Sequence, residues 1–267
     1  MANKVKVIVI RTAGTNCDQE TAYAFQACGA SVDLVHINQL IKRKVSLNDY
    51  HILALPGGFT YGDDIESGRI IANELRVYLK DDIRCFIDSK KLIIGICNGF
   101  QILVKAGFLP GDVEAKGSGE CVQNATLFSN DSGKFEDRWV HLKVGGKCVW
   151  TEGMPGLVYF PVAHAEGKFI PANNKVLKAL QKNGQVIFQY CNAEGGEPEY
   201  PECPNGSVDN IAGITDTTGH ILGLMPHPER HFLFDHHPSW TRIERKSEYG
   251  DGAAIFQNGV NYVKKSL

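Results

Sequence analysis

Three short segments of this chain carry residues able to do acyl-transfer chemistry. In the first, Gly95-Ile96-Cys97-Asn98-Gly99-Phe100-Gln101, a cysteine ends an apolar run, with glycine two residues before it and two after. The residues that follow put Phe100, Leu103, Val104 and Gly107 at helical spacing. That is the spacing of a nucleophile elbow, a tight strand-to-helix turn that pushes the nucleophile outward while small neighbours relieve crowding. A thiol there meets unpaired backbone N–H groups and a helix dipole, which favour thiolate. Taken alone, Cys97 reads equally well as a small core residue at a strand end.

The second segment is Leu53-Ala54-Leu55-Pro56-Gly57-Gly58-Phe59. A strand stopped by Pro-Gly-Gly leaves backbone amides exposed at a sheet edge, where they can donate to an oxyanion, each worth on the order of 3 kcal/mol. By itself such a turn is more often only a turn. The third is Met225-Pro226-His227-Pro228-Glu229-Arg230, directly after a strand-like run. An extended segment would project His227 and Glu229 to the same side, and a carboxylate beside an imidazole fixes its tautomer and stabilises the imidazolium. Pro226 and Pro228 stiffen the segment by fixing φ. A lone histidine is usually structural; a His–Glu pair held between prolines is less easily read that way.

These segments need elements to position them. Short apolar runs alternate with helical patterns through the first half, which predicts a doubly wound, mostly parallel sheet flanked by helices. Strands are predicted at Val5–Ile10, Ser31–Ile37, His51–Leu55, Lys91–Ile96 and Ile221–Met225. Helices are predicted from the turn at Gly14 to about Ala27, near Ile70–Leu79, and at the C-terminus with Phe256, Val260 and Val263 on one face. The middle, Gly111 to Gly184, reads as a smaller antiparallel region of short strands, and Asn192 to Ser207 as a long loop. No repeat or break in composition divides the chain, so residues 1–267 read as a single domain.

Composition is that of an ordinary globular protein, 43% hydrophobic and 22% charged over 267 residues, with a net charge of −2. That balance offers no overall drive toward nucleic acid or an anionic membrane. No stretch reaches the roughly 18 apolar residues of a membrane span. The N-terminus reads as a first strand and not a signal peptide, and the eight cysteines include no CxxC pair. Reduced thiols in a cytoplasmic protein are the expectation.

With the three segments taken together, the chain resembles the class I, triad-type glutamine amidotransferases, of flavodoxin-like fold. The resemblance spans nearly the whole chain. It includes Gly14-Thr15-Asn16-Cys17-Asp18, Pro56 through Asp63, Gly95 through Leu103, Phe135 through Val140, Pro161 through Gly167, Pro204 through Ser207 and Met225 through Arg230. The residues after Cys97 and around His227 separate it from GMP, CTP and carbamoyl-phosphate relatives and align it with the purine-biosynthetic branch, the glutaminase subunits of phosphoribosylformylglycinamidine synthases. It departs at Ala165, where the family has glycine, and at Asp64, where tyrosine is frequent.

The resemblance implies that Cys97 attacks the side-chain amide of L-glutamine, His227 moves the proton and Glu229 orients His227. It implies an oxyanion hole at the Gly58 and Asn98 amides, and substrate contacts at Gly57 and Gln101. Ammonia would pass to a larger synthetase subunit converting formylglycinamide ribonucleotide to its amidine, with or without a small bridging subunit. The chain has no GxxxxGK[ST] loop, so ATP and Mg²⁺ are assigned to that partner and this chain is expected to hold no cofactor and no metal. The glycine-rich segment Gly57 to Asp64 has little bulk to lock it, so the oxyanion hole is expected to form fully only on docking.

Other readings make different demands. A DJ-1/PfpI-like cysteine hydrolase recruits its histidine from the residue after the cysteine, and Asn98 stands there. A non-catalytic amidotransferase-like regulatory subunit would lack the nucleophile or the base. A zinc site drawn from His227, His231, His236, His237, Cys191 and Cys203 conflicts with the prolines, which disfavour a helix at His227 to His231.

Overall fold

The computed structural model describes residues 4–63, 65–113 and 122–266. Asp64 and Cys121 lie outside the described residues. The first half alternates strand and helix: β1 (Lys6–Arg11), α1 (Asp18–Ala27), β2 (Ser31–His36), α2 (Ile37–Ile41), β3 (Ile52–Leu55), α3 (Arg69–Tyr78), α4 (Lys80–Asp88), β4 (Leu92–Ile96) and α5 (Asn98–Lys105). The second half adds β5 (Ala125–Phe128), β6 (Glu136–Val144), β7 (Leu157–His164), β8 (Lys168–Pro171), α6 (Asn174–Lys182), β9 (Val186–Cys191), β10 (Ile211–Thr215), β11 (Ile221–Leu224) and α7 (Ala253–Ser266).

Among the described residues, nine strands form one sheet in the order β2-β1-β3-β4-β11-β10-β9-β6-β7. The first five are parallel, in the order of flavodoxin-like sheets, and the last four extend it antiparallel. Every residue of β3 and β4 is buried. Successive side chains point to opposite faces, so both faces of the sheet are covered there, which is why these strands read as unbroken apolar runs. α1 packs with α7, where Phe25 meets Phe256 edge-on at 5.0 Å, and α3 packs with α5.

The α/β architecture is as the alternation predicts, with local differences. The second strand ends at His36, because Ile37 turns into α2. The antiparallel strands are not all short and do not stand apart: β6 has nine residues and β7 eight, and both belong to the main sheet. Among the described residues, β5 and β8 pair separately. The C-terminal helix docks as its spacing predicts, with Phe256, Val260 and Val263 buried. No helix among the described residues is long and apolar enough to cross a membrane.

Candidate active site

Cys97 sits where β4 gives way to α5. Its backbone is forced to φ 51° and ψ −105°, and its N–H donates to the Leu224 carbonyl of β11. Such a conformation costs about 1–3 kcal/mol and persists only when its surroundings impose it. Here the flanking glycines do so. A Cβ on Gly99 would lie 1.8 Å from the Leu55 carbonyl oxygen, and one on Gly95 would lie 2.6 Å from the Gly99 carbonyl oxygen. α5 therefore starts hard against the ends of β3 and β4, and the thiol is carried outward toward the edge.

His227 arrives from the strand next to β4. Its N–H donates to the Pro161 carbonyl of β7, and Nδ1 lies 2.6 Å from Glu229 Oε1, with both side chains buried. The segment is not extended, as the prolines suggested, but enters a tight turn over Pro228–His231. Pro228 is the first residue of that turn, where its missing N–H costs nothing, and the turn folds Glu229 back onto the imidazole. Burial pulls the His227 pKa down, but the Glu229 carboxylate, together with the Cys97 and Cys17 sulfurs, outweighs it and holds the imidazole well above the usual histidine range. Nε2 is buried and makes no hydrogen bond among the described residues.

The Pro56-Gly57-Gly58 turn is stitched to the β1–α1 loop. Phe59 N–H donates to Gly14 O at 2.8 Å, and Asn16 and Cys17 N–H donate to Gly57 O at 3.4 and 3.2 Å. Gly58 faces Thr15 between these bonds, so its own N–H points away from that strand, and Gly58 lines the pocket at Cys97. Asn98 is the first residue of α5, so its amide has no carbonyl one turn back to receive it. The Asn98 side chain is wholly buried: Oδ1 accepts from the Thr60 hydroxyl at 2.7 Å and Nδ2 donates to Gln101 Oε1 at 2.9 Å. Gln101 in turn donates from Nε2 to the Glu166 carbonyl at 2.6 Å, so both ends of its amide are engaged inside the protein. It does not line the pocket, unlike Gly58. Gly57 is needed for space, since a Cβ there would come within 2.8 Å of His227 Cε1.

The loop beyond Gly58 is more firmly held than its glycines suggested. Tyr61 N–H donates to Ala13 O at 2.8 Å, the Tyr61 hydroxyl to Glu74, and Asp63 accepts from Ser67 and Gly68. Tyr61 and Asp63 take left-handed backbone angles, φ 56° and 52°, despite their side chains.

Other residues join the site that the motifs did not single out. A cavity of about 230 Å³ beside Cys97 and His227 is lined also by Asn16, Cys17, Phe59, Phe135, Asp137, Ala163 and Arg230. Cys17 Sγ lies 3.9 Å from His227 Nδ1 and accepts from Arg230 Nη2 at 3.1 Å. Burial pushes the Cys17 thiol pKa up. These residues come from five separate parts of the chain, and only their joint presence in the resemblance signals them. A larger groove, about 650 Å³, runs along α3 past Lys105, but none of Cys97, His227 or Glu229 lines it.

The histidine cluster weighed as a zinc site does not assemble among the described residues. His231 donates from Nδ1 to the Tyr159 carbonyl at 2.7 Å, and His231 and His237 pack around Trp139. The side chains close enough to share an ion are instead Cys17, His227 and Glu229, whose ligating atoms lie within 4.8 Å of one another. Of these, His227 Nδ1 and Glu229 Oε1 are already bonded to each other.

Comparison with known proteins gives the family. The CobB/CobQ-like glutamine amidotransferase domain matches residues 4–263. Phosphoribosylformylglycinamidine synthase subunit PurQ of Dehalococcoides mccartyi is 44% identical over 266 residues, covering 98% of this chain and 99% of the relative. The same subunit of a Methanococcus maripaludis strain is 43% identical, covering 97% and 98%. Among solved structures, PurLQS from Thermotoga maritima aligns with a TM-score of 0.73 at 28% identity, over 97% of this chain and 99% of that one. A glutamine amidotransferase from Thermotoga maritima, at 14% identity and a TM-score of 0.57 over 99% and 100%, shares the fold. The chain belongs to the CobB/CobQ-like glutamine amidotransferase family and, within it, to the PurQ subunits of phosphoribosylformylglycinamidine synthase.

Proposed function

We propose that this chain hydrolyses L-glutamine through Cys97, His227 and Glu229 and hands the ammonia to an ATP-dependent synthetase subunit. The observation that carries the reading is the joining, in one small cavity, of a cysteine on a strained elbow with a histidine whose far nitrogen is held by a buried carboxylate. Cys97 Sγ attacks the side-chain amide carbon while His227 Nε2 takes the thiol proton. Glu229 accepts from Nδ1–H, which fixes the tautomer and stabilises the imidazolium. The Gly58 and Asn98 amides stabilise the tetrahedral oxyanion. The proton returns to the leaving nitrogen, ammonia departs, and water deprotonated by His227 clears the glutamyl thioester to glutamate.

The relatives' names support phosphoribosylformylglycinamidine synthase as the reaction served, converting formylglycinamide ribonucleotide to its amidine in purine biosynthesis. The likeness to PurLQS supports a PurL-type synthetase and a PurS-type bridging subunit as partners. ATP and Mg²⁺ belong to the synthetase in this reading, and this chain, taken as one amidotransferase domain over 1–267, holds no cofactor of its own. Unpaired thiols at the seven described cysteines suit a cytoplasmic setting. The test is to reconstitute the chain with its synthetase and follow glutamate and amidine from glutamine. Both should appear with the unmodified chain and neither with Cys97→Ser; glutamate formed equally by the variant would overturn the reading.

A further inference from the structure

We infer that Arg230 and Asp137 read the zwitterionic end of the substrate, Arg230 binding the α-carboxylate and Asp137 the α-ammonium; the inference rests on the glutaminase reading above. Besides His227, these are the charged side chains lining the cavity at Cys97: one guanidinium and one carboxylate. A site for a dianion or a neutral amide needs no such pair, whereas a free amino acid presents one charge of each sign on one carbon. The cavity, about 230 Å³, is below the roughly 300–1,000 Å³ of pockets for drug-sized ligands and suits a molecule the size of one amino acid.

Both residues sit one neighbour away from the reacting groups. Asp137 pairs across the β6–β7 ladder with Ala163, whose carbonyl lies 3.7 Å from Cys97 Sγ. Arg230 Nη2 lies 3.1 Å from Cys17 Sγ, which is itself 3.9 Å from His227 Nδ1. In glutamine the α-carbon stands three bonds from the amide carbon that Cys97 attacks, so its two charged groups fall at this remove. Arg230 is steadied by Cys17 and by Glu20, 3.4 Å from its Nε, while a guanidinium has five N–H donors, so donors remain for a carboxylate. Asp137 is exposed and enters no ion pair among the described residues, so its charge is available to an incoming ammonium. Phe59 and Phe135, both partly exposed with ring centroids 6.2 Å apart, line the same cavity and give the methylene chain an apolar wall.

The test compares three amides in the reconstituted complex: glutamine, 4-aminobutanamide, which lacks the α-carboxylate, and glutaramate, which lacks the α-ammonium. Hydrolysis is followed, or competition against glutamine where hydrolysis is too slow. Arg230→Gln should cut the preference for glutamine over 4-aminobutanamide about 100-fold while leaving the preference over glutaramate in place. Asp137→Asn should do the reverse, and Arg230→Lys should recover part of the first preference. A loss shared in proportion by all three substrates would show that Arg230 only holds Cys17 in place, and unchanged ratios in both variants would overturn the inference. Failure of the glutaminase reading looks different: the unmodified complex would release no ammonia from glutamine at all.

Discussion

Glu229 Oε1 lies 2.6 Å from His227 Nδ1, and neither residue is more than 2% exposed. In that setting burial works against a charged imidazole, and the carboxylate reverses the balance. In the proposed mechanism the pair acts as a unit with unequal members: His227 moves protons and Glu229 holds the imidazole's charge.

Removing the two should have unequal costs. Glu229→Gln is expected to keep about 100 times more glutaminase activity than His227→Ala, the kind of gap seen between members of other triads. The pH dependence of stability should change as well. A histidine whose folded pKa is raised adds stability that is fully present below its unfolded value, about 6.5, and is lost as pH rises through the folded value. The advantage of the unmodified protein over Glu229→Gln in thermal midpoint should thus be largest between about pH 5 and 6.5 and shrink above it. A gap that widens with rising pH would contradict the assignment.

Gly57→Ala tests how tightly the site is assembled. The added methyl would meet His227 Cε1 at 2.8 Å and Cys17 Sγ at 3.1 Å. Overpacking of this kind costs about 1–3 kcal/mol, and displacing a catalytic ring by an ångström can cost about 100-fold in rate. The variant should fold, melt a few degrees lower and be nearly inactive. Normal kcat with lowered stability alone would mean that the imidazole has room to yield.

His164 makes a prediction of opposite sign. Burial, reinforced by the His227 charge, pulls its pKa down to about 3, while Nδ1 donates to Asn130 Oδ1 at 3.1 Å and Nε2 has no partner among the described residues. The unfolded chain takes up a proton near pH 6.5 that the folded chain refuses, so this group's contribution is present above pH 6.5 and is lost as pH falls toward 3. Between those values the slope is about 1.4 kcal/mol per pH unit for one proton. His164→Gln should be less stable at pH 7 yet lose less on acidification, as read from urea midpoints at pH 7 and 4.5. Parallel losses in the two proteins would remove His164 from the account.

The α/β class was legible because β3 and β4 are buried along their whole length and so stand out as apolar runs. α4 was not, because it follows α3 at Leu79 without a loop and shows the core only Ile83 and Phe86. The residues proposed as the triad were legible because the elbow glycines and the His–Glu spacing are local. Cys17 was not, because it is 210 residues from His227 and meets it only through folding. The bonds that hold the loop after Gly58 were not legible either: Tyr61 is held by Ala13 and Glu74, and Asp63 by the nearby Ser67 and Gly68, contacts that composition does not reveal.

Two thiols line one cavity, and they can be told apart. A Cβ at Gly57 would touch both, lying 3.1 Å from Cys17 Sγ and 3.5 Å from Cys97 Cβ. Cys17 is raised in pKa by burial and accepts from Arg230, which leaves its sulfur engaged. Cys97 stands on the strained elbow, next to the Asn98 amide at the start of α5. A glutamine-like electrophile such as diazo-oxonorleucine should therefore label Cys97, and Cys17→Ala should still be labelled. With Cys97→Ala the label should vanish and not move to Cys17. The same variant separates release of ammonia from its use. In the reconstituted complex Cys97→Ala should make no amidine from glutamine yet make it from added ammonium as fast as the unmodified complex, because the lost step is the one that frees ammonia. Peptide mapping that finds the label on Cys17 would transfer the nucleophile's role to α1. Failure of ammonium to restore synthesis would mean that Cys97 also holds the complex in its working form.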